Sequence, residues 1–278
     1  MKIFYKKLDL IGHLNHLKDL GSSIGFVPTM GALHQGHLSL LNKSCLNNEV
    51  TVVSIFINPT QFNSSSDLLN YPKNLKQDCS LLKNISDEIL VFVPDSNEIY
   101  GDQMHTKSYD FNGLDKYMEG KFRTSHFEGV ATVVELLLDI VKPDKAYFGE
   151  KDFQQLQIIR NLKTNVKIVG CETQREKSGL ALSSRNNKLT SNSKELASNI
   201  FKNLTFIKSN ISNYTVDDLI KTASHNINSF DQMNIEYLMI ADEDKLVPTN
   251  SIKFKKKYRA FISVFVDGIR LIDNIALN

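Results

Sequence analysis

Cysteine is scarce in this sequence. Cys45, Cys79 and Cys171 are odd in number, far apart and without a CxxC pair, so metal-ligand spacing is absent and a reducing cytoplasm is the expected setting. Cys45 falls in a helical pattern with Leu38 and Leu41 and reads as a small buried hydrophobe. Long apolar runs are also missing: none approaches the roughly 20 residues of a membrane span. The N-terminal MKIFYKKLDL breaks its apolar stretch with charges and lacks a signal-peptide core. Nor is there an excess of one charge. With 33 basic and 31 acidic side chains the net charge is +2, which argues against a dedicated nucleic-acid binder. The densest basic run, Lys253, Lys255, Lys256, Lys257 and Arg259, reads as a solvated strand edge or loop. No internal repeat occurs, and Ser64–Ser66, the one low-complexity patch, reads as a loop tip.

What remains is an ordinary globular composition in 278 residues, 41% hydrophobic and 23% charged. That is enough for two cores at roughly 100–200 residues per domain. Short β-branched or apolar runs, Ile24–Thr29, Val50–Ile57, Ile89–Val93, Ala146–Phe148 and Val166–Val169, have the look of strands buried on both faces. Helical patterns alternate with them: His37–Asn47, Pro72–Lys83 opened by its proline, Val130–Val141, and Asp152–Leu162 with Asp152 as N-cap. This alternation predicts an α/β, Rossmann-like parallel sheet with helices on both faces over residues 1–173. From about residue 174 the texture changes to two helical patterns, Ser193–Ile207 and Val216–Ile227. Strands follow near Ile235–Ile240, Tyr258–Val266 and Ile269–Ile272, the last two joined by Asp267-Gly268, a hairpin signal. Residues 174–278 are therefore expected to form a smaller C-terminal α+β domain.

Ligands of parallel sheets sit at the carboxyl ends of the strands. Pro28-Thr-Met-Gly-Ala-Leu-His34-Gln-Gly36-His37 follows the first buried strand and opens a helix. Two imidazoles beside free N–H groups at a helix start suit a polyphosphate, and can donate to charge developing on a phosphoryl oxygen. Asn58 and Gln61, in Asn-Pro-Thr-Gln-Phe after the next strand, offer amide donors and acceptors to a hydroxyl-bearing carboxylate substrate. Tyr147–Gln155 contains a strand end, then Lys151 at a helix mouth, where its ammonium can neutralise phosphate, with Gln155 one turn further in. Ser183-Ser184-Arg185 makes a flexible phosphate clamp. Read singly, each segment has a plainer alternative: a turn glycine with surface histidines, a capped strand end, a charged helix start, an N-cap with a solvent-facing arginine.

Together the strings are more specific. HxGH after the first buried strand, with Ser-Ser-Arg far downstream, resembles the signatures of the nucleotidyltransferase superfamily that includes class I aminoacyl-tRNA synthetases. PTMGALHxGH, SIFxNPTQF, HFxGVATVV, AYFGEKDFQQL and GLALSSRN, in this order, resemble the pantothenate synthetase family over Gly25–Asn186. The resemblance returns at Ile235–Ile240 and Arg270–Asn274. It implies that Met30, Gly31, Ala32, Leu33, His34, Gln35, Gly36 and His37 surround ATP, with Gly149, Glu150, Lys151 and Asp152 and with Leu182, Ser183, Ser184 and Arg185. His37 is implied as proton donor, with His34 and Lys151 the other catalytic groups, and Gln174 lies by the adenine. Pro28, Met30, Asn58, Gln61 and Gln155 are implied to hold pantoate or β-alanine. ATP brings Mg²⁺, with no direct metal ligands indicated, and a cytoplasmic homodimer follows, whose smaller domain serves as a lid.

Three departures from the family stand out. Thr124-Ser125 replace the usual Pro-Gly before His126-Phe127, a change expected to stiffen or reshape a loop near the site. Asn161–Lys167 is a shorter connection, expected on the surface. Gln35 replaces the usual glutamate between the signature histidines and is expected to face outward. The implied chemistry is adenylation of pantoate followed by amide formation with β-alanine, without a covalent nucleophile on the protein. A nucleotidyltransferase that stops at a nucleotidyl product leaves Gln61 and Gln155 unexplained. A non-catalytic nucleotide sensor does not require both histidines and Lys151.

Overall fold

The structure, a computed structural model, describes residues 1–253 and 255–278. In chain order the elements are β1 (Lys2–Phe4), α1 (Lys7–Asp19), β2 (Ile24–Thr29), α2 (Gln35–Asn47), β3 (Val50–Ile55), α3 (Ser65–Leu69), α4 (Leu75–Lys83), β4 (Leu90–Phe92), α5 (Ser96–Tyr100), α6 (Met118–Phe122), α7 (His126–Val141), β5 (Lys145–Gly149), α8 (Phe153–Arg160), β6 (Lys167–Cys171), α9 (Ser191–Asn210), α10 (Val216–Asn228), β7 (Met233–Asp242), β8 (Tyr258–Val266) and β9 (Ile269–Ala276). Short 3₁₀ turns occupy Pro59–Gln61, Glu150–Asp152 and Ser184–Lys188. Among the described residues no helix is long and apolar enough to cross a membrane.

Two compact units form. The first contains Met1–Phe111, Arg123–Glu150 and Gln155–Glu172; the second contains Asn112–Phe122, Lys151–Gln154 and Thr173–Asn278. Where the sequence reading puts one cut, after residue 173, the main division falls after Glu172, and two earlier segments group with the second unit.

The first unit is built on a six-stranded parallel sheet in the order β1-β4-β3-β2-β5-β6. Its central strands bury side chains on both faces, which is why they are continuous apolar runs rather than alternating ones. Val27, Val53 and Val91 pack with Leu38 and Leu41 of α2 and Leu82 of α4. The oppositely pointing face is left to α7, which contacts β2 and α1 and buries Val130, Val133, Val134, Leu137 and Leu138. From β2 the chain steps to β3 and β4 on one side, then returns to lay β5 and β6 on the other. The carboxyl ends of β2 and β5 thus flank the point where strand order reverses, the ligand-binding position of open α/β sheets.

The second unit carries the antiparallel sheet β7-β8-β9 with α9 and α10 packed on it. Ile200, Leu204, Ile207 and Ile227 of the helices meet Ile240, Ile262 and Val264 of the strands. Asp267 and Gly268, with φ of 48° and 76°, form the expected two-residue hairpin. A bulge near Glu236 interrupts the β7–β8 register. There Arg270 Nε donates to Glu236 at 3.0 Å, while its terminal nitrogens grip both oxygens of Glu119 at 2.8 and 2.6 Å. Tyr237 Oη also donates to Glu119, at 2.9 Å. Burial and that carboxylate hold the Tyr237 phenol well above its ordinary range. Glu119 lies in α6, so this buried network explains why 112–122 groups with the distant β7–β9 sheet.

Several local expectations are corrected. α4 begins at Leu75 behind the N-cap Asn74, which accepts from Gln77 N at 3.1 Å; Pro72 lies outside it. Ser64 caps the short helix α3 and so is not a loop tip. Asp152 belongs to a 3₁₀ turn ahead of α8, so the helix starts one residue later. Lys253, Lys255, Lys256 and Lys257 are exposed as expected, but Arg259 is buried. It pairs with Glu243 at 2.9 Å and stacks over Phe153 at 3.9 Å, because its position inside β8 points it into the unit.

Candidate active site

In the first unit the exit from β2 is shaped by hydrogen bonds before any functional side chain appears. Thr29 Oγ1 donates to Ser54 O at 2.7 Å and accepts from Gly31 N at 3.1 Å, tying the strand end to β3. Gly31 and Ala32 then turn the chain through the left-handed region, with φ of 78° and 51°. A Cβ on Gly31 would stand 3.0 Å from both Asp78 Oδ2 and Ile55 Cγ2, so glycine is required on two counts. The Asp78 carboxylate, buried in α4, accepts from Ala32 N at 3.1 Å and Leu33 N at 2.7 Å. Burial pushes its carboxyl above the ordinary range, against the pull of these two bonds.

His34 ends this turn as the N-cap of α2, its Nδ1 accepting from Gly36 N at 3.1 Å. In the neutral ring this bond leaves the proton on Nε2, which becomes the donor. The His34 and His37 ring centroids lie 4.1 Å apart, so both imidazoles share one helix N-terminus. Gln35 is exposed, as expected for an outward-facing position.

The exit from β3 converges on the same region. Gln61 Nε2 meets Met30 Sδ at 3.1 Å, joining the NPTQ turn to the segment after β2. Asn58, expected to offer its amide to substrate, instead uses it within the protein. Its Oδ1 accepts from Tyr100 Oη at 2.5 Å and Thr60 Oγ1 at 3.0 Å. Its Nδ2 donates to Gln61 Oε1 at 3.0 Å and Gly129 O at 3.2 Å. With 1% exposure, Asn58 orients Gln61. Burial raises the Tyr100 phenol despite its bonds to Thr60 and Asn58, which keeps it a donor. Pro28 and Gln155 are half-buried, the latter in the first turn of α8, and Gly149 and Glu150 continue from the end of β5.

In the second unit, Lys151, Ser183, Arg185, Asn186 and Asp273 line one cleft. Ser183 Oγ accepts from Arg185 N at 3.2 Å, which fixes the turn that carries Ser184 and Arg185. Leu182 N donates to Gln174 O at 2.9 Å, while the Gln174 side chain is exposed. Lys151 Nζ approaches Asp152 at 3.3 Å, and the Lys151 carbonyl accepts from Asn274 Nδ2 at 2.8 Å. Asn274 Oδ1 in turn accepts from Arg259 at 2.6 Å. Asp273 is held bidentately by Arg175, at 2.5 and 2.9 Å. Burial nevertheless pushes its carboxyl up, with Arg175 opposing. These pairings neutralise Asp273, and Glu119 and Glu236 neutralise Arg270. Lys151 and Arg185 also line this cleft, cationic side chains of a kind suited to phosphate.

Sequence reasoning assigned no role to Asp78, Tyr100, His126, Asp273 or Asn274. The strings containing His126 and Asp273-Asn274 did signal them, but only the fold shows what they touch. Among the described residues no cluster of three or more His, Cys, Asp or Glu side chains forms a metal cage.

The profile of the pantoate-β-alanine ligase family matches residues 2–276. Pantothenate synthetases from Christiangramia forsetii and Flavobacterium psychrophilum are each 46% identical, over 100% of both chains. The crystal structure of pantothenate synthetase from Thermus thermophilus superposes with a TM-score of 0.91 at 33% identity, covering 100% of this chain and 99% of that one. A pantoate-β-alanine ligase from Francisella tularensis, complexed with β-γ ATP and β-alanine, gives 0.81 at 36% identity, covering 100% and 98%. By sequence and by fold, this chain belongs to the pantoate-β-alanine ligase, or pantothenate synthetase, family.

Proposed function

We propose that the residues assembled above divide the work of a two-step ligation. The chain is an AMP-forming carbon–nitrogen ligase that joins pantoate to β-alanine at the expense of ATP, giving pantothenate. A pantoate carboxylate oxygen attacks the α-phosphorus, forming pantoyl adenylate and releasing pyrophosphate. The β-alanine amine then attacks the acyl carbon, and AMP leaves. His34 and His37, with the segment Met30–His37, hold the triphosphate, and His37 donates to the departing pyrophosphate. Lys151, Ser183, Ser184 and Arg185 neutralise phosphate charge, with Gly149, Glu150, Asp152 and Leu182 around the nucleotide and Gln174 by its adenine. Pro28, Met30, Gln61 and Gln155 hold pantoate, and Gln61 also borders β-alanine. Asn58 serves this site by orienting Gln61.

The single observation that carries this reading is the juxtaposition within the first unit. Two histidines pair at 4.1 Å on one helix N-terminus, and Met30 in the segment leading to them touches Gln61 at 3.1 Å. An anion site and an amide site thereby adjoin, as attack of a carboxylate on a phosphate requires. Mg²⁺ would enter bound to ATP and would help to neutralise charge on the phosphates. The working form is a cytoplasmic homodimer. Pyrophosphate–ATP exchange tests the first step. Purified enzyme with labelled pyrophosphate, Mg²⁺ and pantoate is expected to exchange label without β-alanine; a strict requirement for β-alanine would refute the two-step scheme.

A further inference from the structure

The HFEGVATVV string stands apart from the phosphate and amide motifs, yet the structure ties it to Gln61. His126, the first residue of α7, is buried, and its Nδ1 lies 2.9 Å from Gln61 O. A carbonyl only accepts, so Nδ1 carries the proton. On the other side of the ring, Arg123 Nη1 lies 3.1 Å from His126 Nε2. A guanidinium only donates, so Nε2 is the acceptor. Both contacts demand the same species, a neutral imidazole in the Nδ1–H tautomer. Arg123 Nη2 reaches the same Gln61 carbonyl at 3.3 Å. One turn along α7, Gly129 O accepts from Asn58 Nδ2. A Cβ on Gly129 would lie 2.3 Å from Thr60 O and 2.9 Å from Gln61 N. The first turn of α7 is thus moulded to the backbone of the NPTQ turn.

We infer that His126, locked in the Nδ1–H tautomer by Arg123, is a positioning residue that sets the backbone of Gln61 and so the aim of its amide at pantoate. The inference rests on the proposed role of Gln61 and extends it from the residue that meets the substrate to the pair that holds that residue. The side chain itself is fixed from Asn58 and Met30; the main chain beneath it is fixed from α7. Loss of the His126 donor removes the shorter of two hydrogen bonds to the half-buried Gln61 carbonyl and frees the turn to shift, which weakens pantoate binding before it disturbs anything at the phosphates.

Steady-state kinetics on three variants, with one spectroscopic measurement on the wild type, test this. His126→Ala is expected to raise the pantoate KM by about tenfold while the ATP KM stays within about twofold. In His126→Asn the amide nitrogen stands close to the place of Nδ1 and still donates to Gln61 O, so the pantoate KM should return to within about threefold of wild type. Equal rises in both KM values, or an asparagine variant no better than the alanine one, would overturn the inference. Gln61→Ala separates the two levels of the reading. If it raises the pantoate KM and His126→Ala does not, the His126 inference alone falls; if Gln61→Ala leaves the pantoate KM unchanged, both fall. Long-range ¹H–¹⁵N correlation spectra of histidine-labelled wild-type protein, assigned with His126→Asn, do not depend on the alanine variant folding. They should show His126 as the Nδ1–H tautomer, and an Nε2–H tautomer would contradict the geometry.

Discussion

His37 and Asp78 meet the same ten-residue signature from opposite sides, one as its chemical end and the other as its support. The histidine pair was legible because HxGH after a buried strand has few other uses. Asp78 was not, since it lies more than forty positions away and its partners are main-chain N–H groups, which no residue pattern advertises. Their substitutions should separate accordingly. On the proposed mechanism, His37→Ala removes a preorganised donor for charge that exists in adenylation and is gone in amide formation. Rapid-quench single turnovers from ATP plus pantoate are expected to slow by about a hundredfold or more. Turnovers from synthetic pantoyl adenylate plus β-alanine should stay near wild type; the reverse pattern would put His37 on the wrong step. Asp78→Ala leaves Ala32 and Leu33 N–H without their acceptor. Denaturant unfolding should show a loss of roughly 1–3 kcal/mol, and an unchanged midpoint would mean that water satisfies the turn equally well.

At the scale of the element, periodicity carried most of the fold, and failed where an end is set by something other than a stripe of apolar residues. α7 was visible from Val130 onward, but its first turn is defined by His126, Phe127 and Gly129 packing on the NPTQ turn. α4 is opened by the Asn74 side chain and not by the nearby Pro72. α1 buries only Leu10 and Leu14, too thin a stripe to announce itself. The Thr124-Ser125 departure also resolves here. Ser125 precedes α7 with φ 57° and ψ 8° and no side-chain capping bond, so the position keeps the left-handed geometry that the family's glycine permits and holds it with a serine. A non-glycine residue there is strained by roughly 1–2 kcal/mol, partly offset by the greater freedom glycine has when unfolded. Ser125→Gly is therefore expected to stabilise the protein by about 0.5–1 kcal/mol in urea unfolding; a destabilised variant would show that the serine makes a compensating interaction.

For the molecule as a whole, the strand–helix alternation disclosed a parallel sheet and the later hairpin disclosed a second, antiparallel one. Less legible was which chain segments belong to which unit. Residues 112–122 join the second through Glu119, Arg270, Glu236 and Tyr237, and residues 151–154 through Asn274, Arg259 and Phe153. Such pairings span more than a hundred positions and leave no local period to read. Arg259 illustrates the same limit, since a basic run suggests solvent until β8 turns one of its members inward. The most direct test of the proposed reaction follows atoms through a complete turnover. Pantoate labelled with ¹⁸O in its carboxylate is incubated with the enzyme, ATP, Mg²⁺ and β-alanine, and the AMP is analysed by mass spectrometry. If the carboxylate attacks the α-phosphorus and AMP departs from the acyl carbon, each AMP carries one labelled oxygen and the pyrophosphate none. Unlabelled AMP, or label in an inorganic phosphate product, would contradict an acyl-adenylate route.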